Sequence, residues 1–338
     1  MTLVNAKPLK QPGHHTSSHA VEMNRLPLFS IVIPTYNRAA LIERTLATIW
    51  QQTYPHYEVI VVDNCSEDRT EEVLTPYVKA GRIRFIQHGQ NYERARSRNT
   101  GMRAAKGDFV TLLDSDDLMY PSNLEDAAKY VAANPGSKCF HNLYEFVDTN
   151  GKVVYRPRFS ALTNQLKTIA QGNFMSCIGD FIHRDIFTKY AFSTDPTMIG
   201  GEDWEFWLRV LADYEVGRIQ KINSGVVQHP DRSVNSQDLN ALSQGLQQLI
   251  QNLRDDPRLA VVYRPYLKLI ESSSMMYLAT LSNSAKLHKQ AIGYLWAAAK
   301  KNPRVVTGAR FIRISQIATT GAIKGAVVSQ DDKVKVIE

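Results

Sequence analysis

The chain has 338 residues, of which 43% are hydrophobic and 22% charged, with a formal net charge of +7. That apolar content excludes a disordered chain, and the length suits two domains or one domain with a large appendage. Three cysteines (Cys65, Cys139 and Cys177) are too few and too irregularly spaced for a disulfide framework or a cysteine metal site, and no apolar run reaches the roughly 18 to 20 residues of a membrane-spanning helix.

Met1 to Leu26 is polar and unpatterned, and it predicts a mobile leader over residues 1–26 without the order of a signal peptide. From Leu28 onward, short β-branched runs alternate with helical patterns. Phe29 to Ile33, Glu58 to Val62, Ile83 to Gln87 and Phe109 to Leu113 predict strands. Between the first two, Ile42, Leu46, Ile49 and Trp50 fall on one helical face. Asp68 with Glu71 predicts the cap of a second helix, and Gly81 its C-terminal end. Ser122 and Glu125 have capping-box spacing, and Pro135-Gly136 stops the helix they begin. Asn150-Gly151, set between Val147 and Val153, predicts a hairpin over Asn142 to Tyr155.

This alternation implies an α/β fold with right-handed crossovers, a mostly parallel sheet and helices on both faces. Ligands then bind at the carboxyl ends of the strands. Past Gln237 the pattern becomes helical and basic. Between Val261 and Val327 ten Lys and Arg face the single acid Glu271. The expected organisation is therefore a catalytic unit over residues 27–237 and a mainly helical region over residues 238–338.

Three clusters carry chemistry. Asp114-Ser115-Asp116-Asp117 directly follows the fourth strand, and carboxylates so crowded repel one another unless a cation or solvent sits among them. Hard, oxygen-seeking Mg²⁺ or Mn²⁺ suits such a site, whereas a solvated acidic turn capping the next helix is the plainer alternative. Gly200-Gly201-Glu202-Asp203 delivers two carboxylates to a helix start, where they serve either capping or proton transfer. His229 lies in Gln228-His229-Pro230-Asp231-Arg232-Ser233, beside two groups able to bind phosphate.

In order and spacing, Phe29 to Arg38, Tyr57 to Ser66, Arg98-Asn99-Thr100-Gly101 and Asp114 to Asp117 together resemble the family 2 glycosyltransferases, over roughly Phe29 to Asn235. The resemblance implies a GT-A fold and inverting transfer from a nucleotide diphosphate sugar, with Mn²⁺ or Mg²⁺ as cofactor. It implies donor binding by Pro34, Thr35, Asn37, Asp63, Asn64 and Arg98, with Asp114 facing the ribose or a metal-bound water. It further implies Asp116 as direct metal ligand, His229 as its complement, Arg232 and Ser233 on the diphosphate, Asp203 as base and Glu202 as acceptor-binding partner. One departure stands out: Asp63-Asn64 replaces two consecutive acids, and Cys65 follows where glycine is common. An amide both accepts and donates, so the nucleotide base stays open.

The expected acceptor is a saccharide or lipid-linked saccharide, as in cell-surface polysaccharide synthesis, handled by a cytoplasmic protein. A sugar nucleotidyltransferase would need a glycine-rich loop where Pro34-Thr35-Tyr36-Asn37 stands, and a non-catalytic nucleotide-sugar-binding module would lack the acids present here. No motif points to nucleic acid. Tyr277, Leu281, Tyr294, Leu295 and Trp296, interleaved with Lys and Arg, suit either helical packing or peripheral contact with an anionic membrane.

Overall fold

The computed structural model describes residues 26–230, 232 and 238–334; the expected leader, apart from Leu26, and Ser233 lie outside these residues. The chain begins β1 (Phe29–Thr35), α1 (Ile42–Ile49), β2 (Tyr57–Asp63), α2 (Thr70–Lys79), β3 (Arg84–Gln87), α3 (Arg94–Ala104), β4 (Phe109–Leu112). These four strands are parallel, with β1 between β2 and β4, and Thr35 stands opposite Asp63. Every residue of β1 is buried, as its unbroken apolar run requires of a strand covered on both faces. Helix α1 turns Ile42, Leu46 and Ile49 onto one face of the sheet. Helix α3 lies so close to β1 that a Cβ at Gly101 would fall 2.2 Å from Val32 Cγ1.

The chain continues β5 (Leu118–Met119), α4 (Asn123–Ala133), β6 (Cys139–Val147), β7 (Val153–Tyr155), α5 (Gln165–Ala170), β8 (Asp180–His183), α6 (Arg184–Phe187), α7 (Glu202–Leu211), β9 (Val216–Val227). The sheet order is β3-β2-β1-β4-β8-β6-β9-β5, with β7 on β6. Strand β8 runs antiparallel to both β4 and β6, so the sheet is parallel in its first half and mixed in its second. The β6–β7 hairpin and the positive φ of Gly81 and Gly151 follow the sequence pattern. The capping box does not form. Ser122 instead receives Lys221, and Glu125 accepts from Thr53 and Lys129. Arg69 occupies the start of α2, while Asp68 accepts the Thr70 N–H at 2.9 Å.

Helices α8 (Leu239–Asp255), α9 (Pro257–Tyr263), α10 (Leu267–Ser284), α11 (His288–Lys301) and α12 (Ala309–Val334) complete the described chain. Leu242, Leu246, Leu249 and Leu253 of α8 share one core with Trp204, Phe206 and Trp207 of α7. Gly245 lets α8 pass close to the turn before α7, since a Cβ there would lie 2.9 Å from the Thr197 carbonyl. Met276, Leu295 and Ile314 join α10, α11 and α12 in a separate cluster, while Trp296 is 66% exposed. Among the described residues no helix is long and apolar enough to cross a membrane.

Candidate active site

The carboxyl ends of β1, β2 and β4 open onto a cavity of about 320 Å³ lined by Pro34, Thr35, Asn64, Arg98, Asp114 and Asp116, among others. Thr35 Oγ1 and Ser97 Oγ in this region are buried without a hydrogen-bond partner in the protein, as hydroxyls that meet a ligand would be. Asn37 and Asp63 stand behind this wall. The Asn37 side chain accepts the Glu67 N–H at 2.8 Å, and Asp63 accepts from Ser66 N at 3.0 Å and Gln87 Nε2 at 3.2 Å. These two residues hold the loops after β1 and β2 in register.

Asn64 is fixed on both sides of its amide. Its Oδ1 accepts the Tyr92 N–H at 3.0 Å and meets His88 Nδ1 at 3.1 Å, while Nδ2 donates to Asn91 Oδ1 at 2.6 Å. Burial, then the charge of Arg96, lowers the basicity of His88. A neutral His88 facing an oxygen that can only accept carries its proton on Nδ1, which leaves Nε2 to accept the Thr100 hydroxyl at 3.0 Å.

The motif Arg98-Asn99-Thr100-Gly101 thus divides its labour along one helix. Asn99 exchanges two 2.8 Å hydrogen bonds with the backbone of Phe192, and Gly101 seats the helix on Val32. Arg98, buried, reaches Asp114 at 3.2 Å and Glu202 at 3.5 Å. Burial alone would weaken its basicity, but Cys177, Asp114, Glu202 and Asp203 raise it, so the guanidinium is firmly charged.

The three crowded carboxylates have different surroundings. Asp114 pairs with Arg98. Asp116 lies between Arg38 Nε at 3.4 Å and His229 Nε2 at 3.1 Å. Asp117 points inward and accepts the Val227 N–H at 2.8 Å; burial, then Asp114 and Asp116, pushes its acid well above the usual carboxylate range. That last bond, with the pairing of Leu118 to Gly225, ties the end of β9 to the acidic turn and so delivers His229 to Asp116.

The second cavity, of about 1130 Å³, adjoins the first through Arg94, Arg98, Asp114 and Arg232. Asp203 lines it at the start of α7, after a turn that Gly200 makes at φ +81°. Burial, then the neighbouring Glu202, pushes Asp203 up to about 6 against the opposing charge of Arg98. Glu202 is itself buried, with Oε2 accepting the Gly200 N–H at 2.8 Å and Oε1 near Arg94 at 3.4 Å and Arg98. The structure therefore places Glu202 as the buried counter-charge of two arginines beside Asp203.

Arg38, Arg94, Tyr277 and Arg310 line these cavities although the sequence assigned none of them a place in the site. Arg94 was findable, being four residues before Arg98 on one helical face. Tyr277, which the sequence offers to packing or membrane contact, and Arg310 come from α10 and α12 and reach the cavity only through the tertiary fold.

Residues 30–190 match the family described as glycosyl transferase family 2. The chain is 29% identical over 203 residues to the E. coli UDP-Glc:alpha-D-GlcNAc-diphosphoundecaprenol beta-1,3-glucosyltransferase WfgD, covering 59% of this chain and 75% of that one. Among solved structures it resembles S. aureus TarS 1-349 in complex with UDP-GlcNAc, at TM-score 0.63 and 20% identity, over 88% of this chain and 92% of that one. It also resembles the mannosyltransferase PcManGT from Pyrobaculum calidifontis in complex with GDP-Man and Mn²⁺, at TM-score 0.58 and 20% identity, over 92% and 89%. These structural likenesses establish the GT-A fold.

Proposed function

The chain belongs, through residues 30–190, to glycosyl transferase family 2, and from that premise we propose that it moves a sugar from a nucleotide diphosphate donor to an acceptor hydroxyl with inversion at the anomeric carbon. The observation that carries this reading is the meeting of two cavities at Arg98 and Asp114, one at the strand ends and one walled by Asp203. The donor lies in the first, against Pro34, Thr35 and Asn64, and the acceptor in the second. Asp203 takes the proton of the acceptor hydroxyl as its oxygen bonds to the anomeric carbon and the carbon–phosphate oxygen bond breaks. A base whose acid is pushed up to about 6 is mostly deprotonated at neutral pH yet more basic than an ordinary carboxylate, as general-base catalysis favours. Arg98 and Arg94 pair with Glu202, the chain neighbour of Asp203, and keep positive charge beside the departing diphosphate.

A divalent cation fits the donor set at Asp116 and His229. Among the described residues no three His, Cys, Asp or Glu converge to enclose an ion. One carboxylate and one imidazole suit a cation that takes its other ligands from phosphate and water, as Mg²⁺ and Mn²⁺ do. Bound there, it would neutralise charge on the leaving diphosphate. The relatives support the donor and acceptor classes: UDP-GlcNAc and GDP-Man with Mn²⁺ are bound in the two structures, and the WfgD name gives a lipid-linked sugar acceptor. We extend the reading to residues 27–237 as the catalytic unit, with the basic region of residues 238–338, through its helices up to Val334, completing the acceptor side and contacting an anionic membrane surface.

The test is a thermal-shift panel of UDP, GDP, dTDP and CDP with and without Mn²⁺, followed by NMR of the anomer formed from the sugar nucleotide of the best binder. A ligand bound only to the folded state at 100 times its Kd adds about 2.7 kcal/mol of stability. Cation-dependent stabilisation by one nucleotide and an inverted product support the proposal; a retained anomeric configuration overturns it.

A further inference from the structure

The cavity that Asp203 lines has a far wall made by the C-terminal helices. Arg310 and Arg313 of α12 face it, with Thr280, Asn283 and Ser284 of α10 alongside. The two arginines are three residues apart on one helix, so their Cβ atoms are about 5 to 6 Å apart and their side chains leave the same face. Ile314, between them and the helix partners, is buried against α10 and α11 and anchors that face toward the cavity.

Arg310 donates to Thr280 Oγ1 at 3.5 Å, and among the described residues neither arginine has a carboxylate partner. The one acid of the region, Glu271, is taken by Arg254 and by Lys301 at 3.1 Å. Arg310 is ringed by protein, which lowers its basicity, yet its side chain is solvent-accessible because the cavity it faces is open. Tyr277 stands between the two charged ends of the space, its hydroxyl held up at about 12 by burial and then by Asp203, with Arg94 and Arg310 opposing. One cavity is thus lined by the Asp203 carboxylate and by two guanidiniums with hydroxyl and amide neighbours. Paired guanidiniums bind phosphate oxygens through parallel N–H donors more strongly than any neutral group in the wall.

We propose that Arg310 and Arg313 form an anion subsite that holds a phosphate ester of the acceptor while the acceptor's sugar hydroxyl lies at Asp203. This rests on the glycosyltransferase reading for the role of Asp203, but the anion subsite is testable without turnover. It also gives the C-terminal helices a task in substrate choice: they read the phosphate, and the strand-end site reads the nucleotide. The phosphate belongs either to a lipid-linked sugar diphosphate or to a soluble sugar or polyol phosphate.

The experiment titrates inorganic pyrophosphate and farnesyl diphosphate calorimetrically into the full chain with excess chelator, which silences cation-dependent binding at Asp116. Wild type, R310Q/R313Q and R310K/R313K are compared, with cation-dependent nucleotide thermal shifts in parallel. Loss of pyrophosphate affinity by at least about tenfold in the glutamine variant, with a smaller loss in the lysine variant, is the expected result. Farnesyl diphosphate binding tighter than pyrophosphate assigns the phosphate to a lipid, and equal binding assigns it to a soluble ester. Equal affinity in wild type and R310Q/R313Q, or no binding to wild type, overturns the subsite. If instead the nucleotide shifts are absent from wild type while the arginine-dependent binding stands, the donor assignment fails and the anion subsite does not. Both arginines are exposed on their helix, and unchanged nucleotide shifts in the variants certify the fold.

Discussion

His229 Nε2 lies 3.1 Å from Asp116 Oδ2, although 113 residues separate them in the chain. If both hold one cation, their contributions are not independent. Asp116→Asn and His229→Ala should each weaken Mn²⁺ activation, and the double variant should be little worse than the more severe single one. Mn²⁺ titrations of turnover measure this. Additive losses would show that the two residues serve separate ends.

The acid of Asp203, pushed up to about 6 by burial and Glu202, should appear in the pH dependence of kcat/KM. Since the base must be deprotonated, activity should fall about tenfold per unit below pH 6 and level off above it. Asp203→Asn should lower turnover by roughly 10² to 10⁴ while nucleotide affinity holds. The same shift acts on stability with the opposite sign to that of a paired carboxylate. The folded form binds this proton more tightly than the unfolded one, so this group's contribution falls as pH rises from 3.8 to about 6. A flat rate profile between pH 5 and 7 would contradict the assignment of Asp203 as base.

With the Asn64 carbonyl already accepting from Tyr92 and His88, the free hydrogen on Asn64 Nδ2 is what remains for a nucleotide base. His88→Ala should free one lone pair on that oxygen and shift preference toward bases that donate at this edge, such as uracil. One net hydrogen bond of about 1 kcal/mol corresponds to roughly fivefold. Competition between UDP and CDP, by thermal shift in the two proteins, reads the change directly. An unaltered ratio would mean that Asn64 does not meet the base.

Asp117 holds the end of β9 through the Val227 N–H, with its acid protonated well above the normal range by burial and by Asp114 and Asp116. A neutral amide oxygen should replace it, so Asp117→Asn should keep stability within about 0.5 kcal/mol. Asp117→Ala leaves a buried N–H unpaired and should cost about 1 to 3 kcal/mol. It should also weaken cation activation, because His229 follows that strand. Denaturant melts with Mn²⁺ titrations test both parts, and equal stability of the two variants would refute the anchoring role.

Membrane contact through the C-terminal helices predicts co-sedimentation with anionic but not neutral vesicles, reversed by salt, since each Lys or Arg near the surface contributes about 1 kcal/mol before screening. Trp296, exposed and with Lys300 Nζ 5.6 Å from its ring, should show a fluorescence blue shift on binding. No binding, or binding indifferent to lipid charge and salt, would leave these helices to packing and acceptor recognition alone.

The sequence alone determined the features that are local in the chain. The runs Phe29 to Ile33, Glu58 to Val62 and Phe109 to Leu113 had to be buried parallel strands, and that placed Asn64 and Asp114 to Asp117 at one edge of the sheet. Period and turn chemistry read such segments directly, because each depends on residues within a few positions. The reversal at β8 was not legible, because Asp180–His183 is too short to announce its direction and is set by its neighbours β4 and β6. Only the tertiary structure decided what each acid does. It turned Asp63, with the Asn37 amide, into a loop brace, gave Glu202 to two arginines, sent Asp117 inward, and brought His229 to Asp116 and Arg310 to the cavity that Asp203 lines. A carboxylate's role follows from which charges and hydrogen-bond donors surround it and how much water they exclude, and those neighbours come from as far as 113 residues away in the chain.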